Sequence, residues 1–272
     1  MSNGTKNITQ ATIHNGRGIE LADRGWLDEA IREFHKAIAL DPDSPHAYDN
    51  LGTIYAEKGD YLEALNSYMK AIQCEPDNPQ AHHYLANFLA SHAFDLSLLE
   101  YRKALTLNPD FPDAHLNLAL ALSDAGRLNE ALNELTIAHN QSPDDELIHH
   151  ELACCLIELK RLPEAITHLK TILKTHPALL EAHVDLGIAY TAQGFYDKAK
   201  ESLATALALD ENDFGAHYHL AALYAHWDRP AEVLEHLSNA SASDNDRLRL
   251  WLQEDPSFRA FEDDPDYRGF VD

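Results

Sequence analysis

The 272-residue chain reads as an all-α array of repeated helical hairpins, and three observations lead there. The first is a period. Pro42, Pro76, Pro109, Pro143 and Pro177 stand 34, 33, 34 and 34 residues apart, and Glu211 takes the next place 34 residues on. A fixed spacing of this size marks a repeat architecture. The second is the pattern between the prolines: an apolar run of helical period, a break near Gly25, Gly59, Gly126 or Gly194, and another such run. Each period therefore holds two helices. The third is the punctuation "DPDSP" (41–45) and "EPDNP" (75–79). Its first proline blocks continuation of the outgoing helix. Ser44 or Asn78 is then placed to cap the next helix, and Pro45 or Pro79 falls at the first helical position, where no N–H is needed.

Along the chain the elements follow in order. Residues 1–10, "MSNGTKNITQ", carry no apolar core of a signal peptide and read as a flexible N-terminus. Residues 11–240 hold seven repeats, starting at 11, 45, 79, 112, 146, 180 and 214. The third is one residue short in its turn, "SHAFDLS" (91–97), and has no turn glycine. A local change of superhelical path and an interrupted binding surface are expected there. After residue 240 the pattern changes: an apolar-periodic stretch around Leu248, Leu250, Trp251 and Leu252 precedes two Asp-Pro-x-aromatic turns, Asp255–Phe258 and Asp264–Tyr267. The last hairpin of an array has an apolar face with no successor, so 241–272 reads as a capping helix and tail. A linear motif for a partner is the alternative.

The charge is −24, with 45 acidic residues against 21 basic ones. It disfavours nucleic acid and anionic membrane and favours a basic partner; general solubility is the other use of such charge. With no signal peptide and no run long enough to span a bilayer, the expected location is cytoplasmic. Cys74, Cys154 and Cys155 show no zinc or redox spacing and read as small buried apolar residues. No glycine-rich phosphate loop, nucleophile elbow or His-Glu-x-x-His is present, so no catalytic residue and no cofactor is assigned.

Aligned on their starts, the repeats carry small residues at position eight (Gly18, Gly52, Ala86, Ala119, Ala153, Gly187, Ala221) and position twenty (Ala30, Ala64, Ser97, Ala131, Ala165, Ala199, Val233). Position eleven is large: Leu21, Tyr55, Leu89, Leu122, Leu156, Tyr190, Tyr224. This pattern resembles the tetratricopeptide repeat (TPR) from residue 11 to about 240, with a closing segment like that of many bacterial members. The resemblance implies a right-handed superhelical solenoid, a repeat protein that serves as a protein-binding scaffold. It also explains the recurring histidines. His82, His115, His149, His183 and His217 all stand at position four, where the TPR pattern packs a large flat side chain between hairpins. The other histidine pairs lack the i, i+4 spacing of zinc helices, and no metal ligand set is assigned.

In TPR proteins, positions two, five, six, nine, twelve and thirteen of each first helix face the concave groove. From the second repeat to the seventh these positions hold no Lys or Arg. The residues assigned to the groove are Asp49, Asn50, Glu57, His83, Asn87, Asp113, Asn117, Asp124, His150, Glu151, Glu158 and Asp185. Missing basic positions exclude the carboxylate-clamp activity of chaperone-tail-binding members. Position six, with Asn50 and Asn117, matches in part the asparagine ladder of the O-linked N-acetylglucosamine transferase arm. The resulting expectation is a non-catalytic scaffold that binds a basic or amphipathic protein segment in an acidic groove. Self-assembly into a homo-oligomer, or a metal-holding accessory subunit of an enzyme complex, are the alternatives.

Overall fold

The structure, a computed structural model, describes residues 3–271, all in helices and the turns between them, with no strand among the described residues. It divides into two compact bodies that meet in sequence at Arg127 and Leu128. In the first, α1 (Asn3–Asp23) pairs with α2 (Leu27–Leu40), α3 (Pro45–Lys58) with α4 (Tyr61–Cys74), and α5 (Pro79–Ala90) with α6 (Phe94–Leu107), followed by α7 (Pro112–Asp124). The second opens with α8 (Leu128–Gln141). It continues with the pairs α9 (Glu146–Glu158) and α10 (Leu162–Thr175), α11 (Leu180–Ala192) and α12 (Tyr196–Leu209), and α13 (Phe214–His226) and α14 (Pro230–Glu254). A short 3-10 helix (Pro256–Phe261) and α15 (Pro265–Val271) close the chain.

Six first helices begin at residues 45, 79, 112, 146, 180 and 214. α1 differs. It starts at Asn3, so residues 3–10, read from sequence as a flexible lead, form its first turns, and Met1 and Ser2 lie outside the described residues. No proline precedes residue 11 to stop the helix from extending backwards. Capping at the repeat junctions is uneven. Asn78, Asp145 and Asp213 accept a backbone N–H of the following helix, whereas Ser44 makes no such bond.

Within each body the second helix of a hairpin packs on the first helix of the next, and successive first helices also touch, as α3 does α5 and α9 does α11. Small residues permit the approach. All seven residues at position twenty, Ala30 to Val233, are fully buried. At position eight a Cβ on Gly187 would stand 2.5 Å from Cγ of Leu203.

In six of the seven repeats the turn inside the hairpin is a left-handed residue followed by a bond back to position eleven. Gly25, Gly59, Gly126 and Gly194 have φ of 71 to 81°, and the next residue's N–H donates to the carbonyl of Leu21, Tyr55, Leu122 or Tyr190. Repeats five and seven keep the turn with Lys160 (φ 60°) and Asp228 (φ 57°). The shortened third repeat has no left-handed residue, and Ala93 N–H bonds Leu89 O instead. A left-handed L-residue is strained by roughly 1–2 kcal/mol, less for Asp. Lys160→Gly is therefore expected to stabilise by about 0.5–1 kcal/mol after the added chain entropy of glycine, and Asp228→Gly by less. Urea unfolding of the two variants beside wild type measures this.

The position-four histidines are more than flat spacers. In five repeats Nε2–H donates across the junction to the carbonyl six residues earlier: His82 to Pro76, His115 to Pro109, His149 to Pro143, His183 to Pro177 and His217 to Glu211, at 2.9 to 3.2 Å. Each thereby satisfies a turn carbonyl that the proline punctuation leaves outside any helix. The partner of Nδ1 varies. His14 and His82 meet carboxylates, Glu33 at 2.6 Å and Glu100 at 2.5 Å. His149 and His217 meet other histidines, His168 at 2.8 Å and His236 at 3.0 Å.

The tail is packed. α14 breaks at Asp244 (φ −154°, ψ 93°), whose carboxylate accepts Arg247 N–H and starts the second half of the helix. Leu248, Leu252, Phe258 and Tyr267 are buried in one cluster with Phe214, Tyr218 and Leu220 of α13. Tyr218 donates its hydroxyl to Asp255 at 2.8 Å, and the Arg247 guanidinium lies 4.4 Å from the Phe214 ring centre and 4.5 Å from that of Trp251.

Candidate functional site

The twelve residues assigned to the groove separate into three groups. Glu57, Asn87, Asp113, Asp124 and Glu158 are exposed. Asn50, Asn117, His150, Glu151 and Asp185 are half-buried, and His83 and Asp49 are buried, at 5% and 2% exposure. Asp49 thus departs from the reading of a solvated acidic face. Neither of its carboxylate oxygens has a partner, and burial, with Glu75 adding to it, pushes its pKa up to about 7. The position itself is the cause. Position five is occupied by buried Leu116, Val184 and Tyr218 in other repeats, and those apolar residues are the sequence signal that Asp49 points inward.

Position five also accounts for four of the five half-buried residues, because at three junctions it meets position six of the next repeat. Asn50 Nδ2 donates to Asn15 Oδ1 at 3.0 Å. Asn117 Nδ2 donates to His83 Nε2 at 2.9 Å and to Asn87 Oδ1 at 3.2 Å. His150 Nε2 donates to Asp185 Oδ2 at 2.8 Å, and that carboxylate, with the Cys154 thiol beside it, raises the His150 pKa to about 11. Burial among Tyr84, Tyr101 and Phe111 lowers the pKa of His83. The partial asparagine ladder is therefore engaged within the protein: both N–H groups of Asn117 are used, and Asn50 is held by α1. The bonds of Asn117 also tie the third hairpin to α7, beside the shortened turn.

Asn87 is the amide placed otherwise. Its Oδ1 accepts from both the Tyr101 hydroxyl (2.7 Å) and Asn117, which orients its NH2 outward. It lines a cleft of about 340 Å³ in the first body with Phe94, Asn117, Leu120 and Asp124. In the second body a cleft of about 450 Å³ is lined by Glu146, Leu147, His150, Leu179 and Glu181. Cys154 departs from the reading of a buried apolar thiol: half-buried, its Sγ lies 3.9 Å from His150 Nε2 and 3.8 Å from Asp185 Oδ2. Cys155 is buried, and Cys74 is partly exposed.

Comparison with known proteins addresses the fold directly. Family models described as TPR repeat match residues 18–59, 52–92 and 93–126, and models described as tetratricopeptide repeat match 124–185 and 156–223. The chain belongs to the tetratricopeptide repeat family. TPR proteins bind protein or peptide partners, and the repeats support an interaction scaffold. Among solved structures, a tetratricopeptide repeat protein from Parabacteroides merdae aligns with a TM-score of 0.66 at 16% identity, over 90% of this chain and 98% of its own. PilW, described as a type IV pilus biogenesis factor, aligns with a TM-score of 0.65 at 20% identity, over 73% of this chain and 92% of its own. YrrB, described as a TPR protein with an unusual peptide-binding site, aligns at 0.58 and 22% identity, over 70% of this chain and 100% of its own. At these identities the TPR likeness speaks for the fold alone. No curated protein matches the sequence significantly. Among the described residues no helix is long and apolar enough to cross a membrane.

Proposed function

We propose that this TPR protein is a non-catalytic scaffold that holds a basic or amphipathic protein segment against the first helices of its repeats. The observation that carries the reading is the cleft at Asn87. An amide whose oxygen is fixed by two donors presents its NH2 to an incoming backbone carbonyl without first losing rotamer freedom. Exposed Asp124 lines the same cleft, Asp113 is exposed on α7, and no groove-facing position from the second repeat on holds a Lys or Arg. An extended chain with basic side chains fits that chemistry: the amide takes its backbone, and the carboxylates select its charge. Asp49 takes no part, because it is buried.

The test uses fluorescently labelled lysine-rich, neutral and glutamate-rich peptides, followed by anisotropy and stopped flow. The lysine-rich peptide is expected to bind with an association rate that falls as salt rises. Replacing Asp113, Asp124 and Glu158 together by Asn or Gln should slow association and flatten that salt dependence, with little change in melting. Asn87→Ala should instead speed dissociation, by the equivalent of about 0.5–1.5 kcal/mol for one lost hydrogen bond. Asp95, Asp197 and Glu201, exposed on second helices, are the control set. Equal weakening by both sets, or an unchanged salt dependence, would place the partner elsewhere.

A further inference from the structure

His150 and Cys154 are four residues apart on α9 and so share one face of the helix. Asp185, on α11 of the next repeat, comes to the same point. The Nε2, Sγ and Oδ2 atoms of the three side chains all lie within 4.8 Å of one another. We propose that His150, Cys154 and Asp185 form a three-ligand site for a zinc-class divalent cation.

The donor set chooses the ion. One thiolate, one imidazole and one carboxylate suit zinc or a first-row ion of similar preference, whereas calcium and magnesium take sets of oxygen donors. The geometry is close to the one required. In a tetrahedral zinc centre, bond lengths of about 2.0–2.3 Å put neighbouring donors about 3.3–3.6 Å apart. The sulfur already stands 3.9 Å from the nitrogen and 3.8 Å from the oxygen, and the nitrogen and oxygen stand 2.8 Å apart. Loading replaces the His150–Asp185 hydrogen bond. The ion takes the Nε2 lone pair and the thiolate, two protons leave to solvent, and nitrogen and oxygen open by about half an ångström to reach the tetrahedral spacing.

The frame around the donors is rigid. Ile148, Leu152, Cys155 and Leu156 bury the other side of α9, Val184 and Leu186 flank Asp185 in the core, and α9 packs directly on α11. Two helices with fixed backbones hold the ligands better than loops would. The second nitrogen of His150, Nδ1, is 3.9 Å from Glu151 Oε1, beyond hydrogen-bond length but close enough for the carboxylate's charge to favour the proton on Nδ1 when Nε2 is on the metal. Three protein ligands leave one corner of a tetrahedron for water or for a side chain of the groove's occupant. The cleft of about 450 Å³ that His150 lines gives that corner room. The spacing of histidines to one another had given no sign of the site, because its ligands are of three different types and lie 31 and 35 residues apart across the repeat.

The test needs no partner, so its result is independent of the peptide-binding reading. The full chain is freed of metal by chelator dialysis and titrated with Co(II), whose thiolate charge-transfer band reports a Co–S bond. One equivalent should produce the band, and one equivalent of Zn(II) should erase it. Cys154→Ser should abolish the band while Cys155→Ser keeps it. His150→Gln and Asp185→Asn should each weaken Zn(II) binding by at least about 100-fold, beyond what changes outside the ligand shell achieve. Circular dichroism verifies that each variant keeps its helices. No thiolate band in the wild type, a band that survives in Cys154→Ser, or several equivalents bound alike by wild type and all three variants would overturn the site and leave only surface histidines as ligands.

Discussion

Cutting the chain after Ala240 is expected to produce a protein that melts well below the full chain and self-associates. The removed segment carries Leu248, Leu252, Phe258 and Tyr267, each 5% exposed or less, and its loss uncovers Phe214, Tyr218 and Leu220 on the seventh hairpin. Burial of one large apolar side chain is worth roughly 1.5–3 kcal/mol, so the four together outweigh any single surface contact in the molecule. Tyr218 also loses Asp255, and Phe214 loses the Arg247 guanidinium. The uncovered face then seeks a second copy. Phe258→Ala, a milder version, should cost about 3–5 kcal/mol and leave the mass monomeric. Thermal unfolding and sedimentation of the two variants check this. A truncated protein of unchanged melting and mass, deficient only in partner binding, would make the tail a linear motif.

Acid is expected to weaken the second body, and the sign follows from the histidine pairs. Burial, with His149 and His139 beside it, holds the His168 pKa at about 4, against 6.5 for a free imidazole. Burial and His217 lower His236, and burial and His149 lower His139. The unfolded chain therefore binds more protons between these values, and stability falls as pH drops below 6.5. For His168 alone the loss from pH 7.5 to pH 5 is on the order of 2 kcal/mol. Glu164, the acid nearest His168, opposes the shift, but both its oxygens are bonded to Arg161. In the first body the same hairpin position holds Glu33 and Glu100, which a charged histidine suits. His168→Glu should accordingly turn the repulsion into attraction and flatten the acid limb, measured by urea unfolding at pH 7.5 and 5 with chelator present. In the second body His150, whose pKa the Asp185 carboxylate raises, favours folding as pH falls toward 6.5, while His219, whose pKa burial lowers, opposes it; in the first body Asp49 favours folding as pH falls from 7, while His83 opposes it, and all four are unaltered in the variant and cancel from the comparison. An acid limb of the same slope in His168→Glu would refute the account.

The two predictions differ in how far the sequence alone supported them. Helix starts were legible because prolines and glycines act locally: Pro45, Pro79 and Pro112 stand at the first helical turn, and Gly59 and Gly126 take the left-handed place. The tail's apolar run and its two Asp-Pro turns were equally local. The partners of the histidines were not. His149 meets His168 nineteen residues away, a distance set by hairpin register rather than by any neighbour in the chain. Asp49 and Asp113 looked alike as acids on first helices, yet one is buried at position five and the other exposed at position two. Cys154 looked like packing because Asp185, which turns it into part of a polar cluster, belongs to the next repeat.

The bonds between positions five and six carry a consequence for how such an array is cut and spliced. They join repeat one to two through Asn15 and Asn50, three to four through His83 and Asn117, and five to six through His150 and Asp185. The histidine-to-carbonyl latch travels with its own repeat and its junction, but each of these bonds needs two matched residues from two hairpins. A graft of one hairpin into another array would strand half of a polar pair in a partly buried position, whereas a graft of two, taken in this phase, would carry the pair intact. The natural module for transplantation is thus about 68 residues, twice the repeat length of these TPR units.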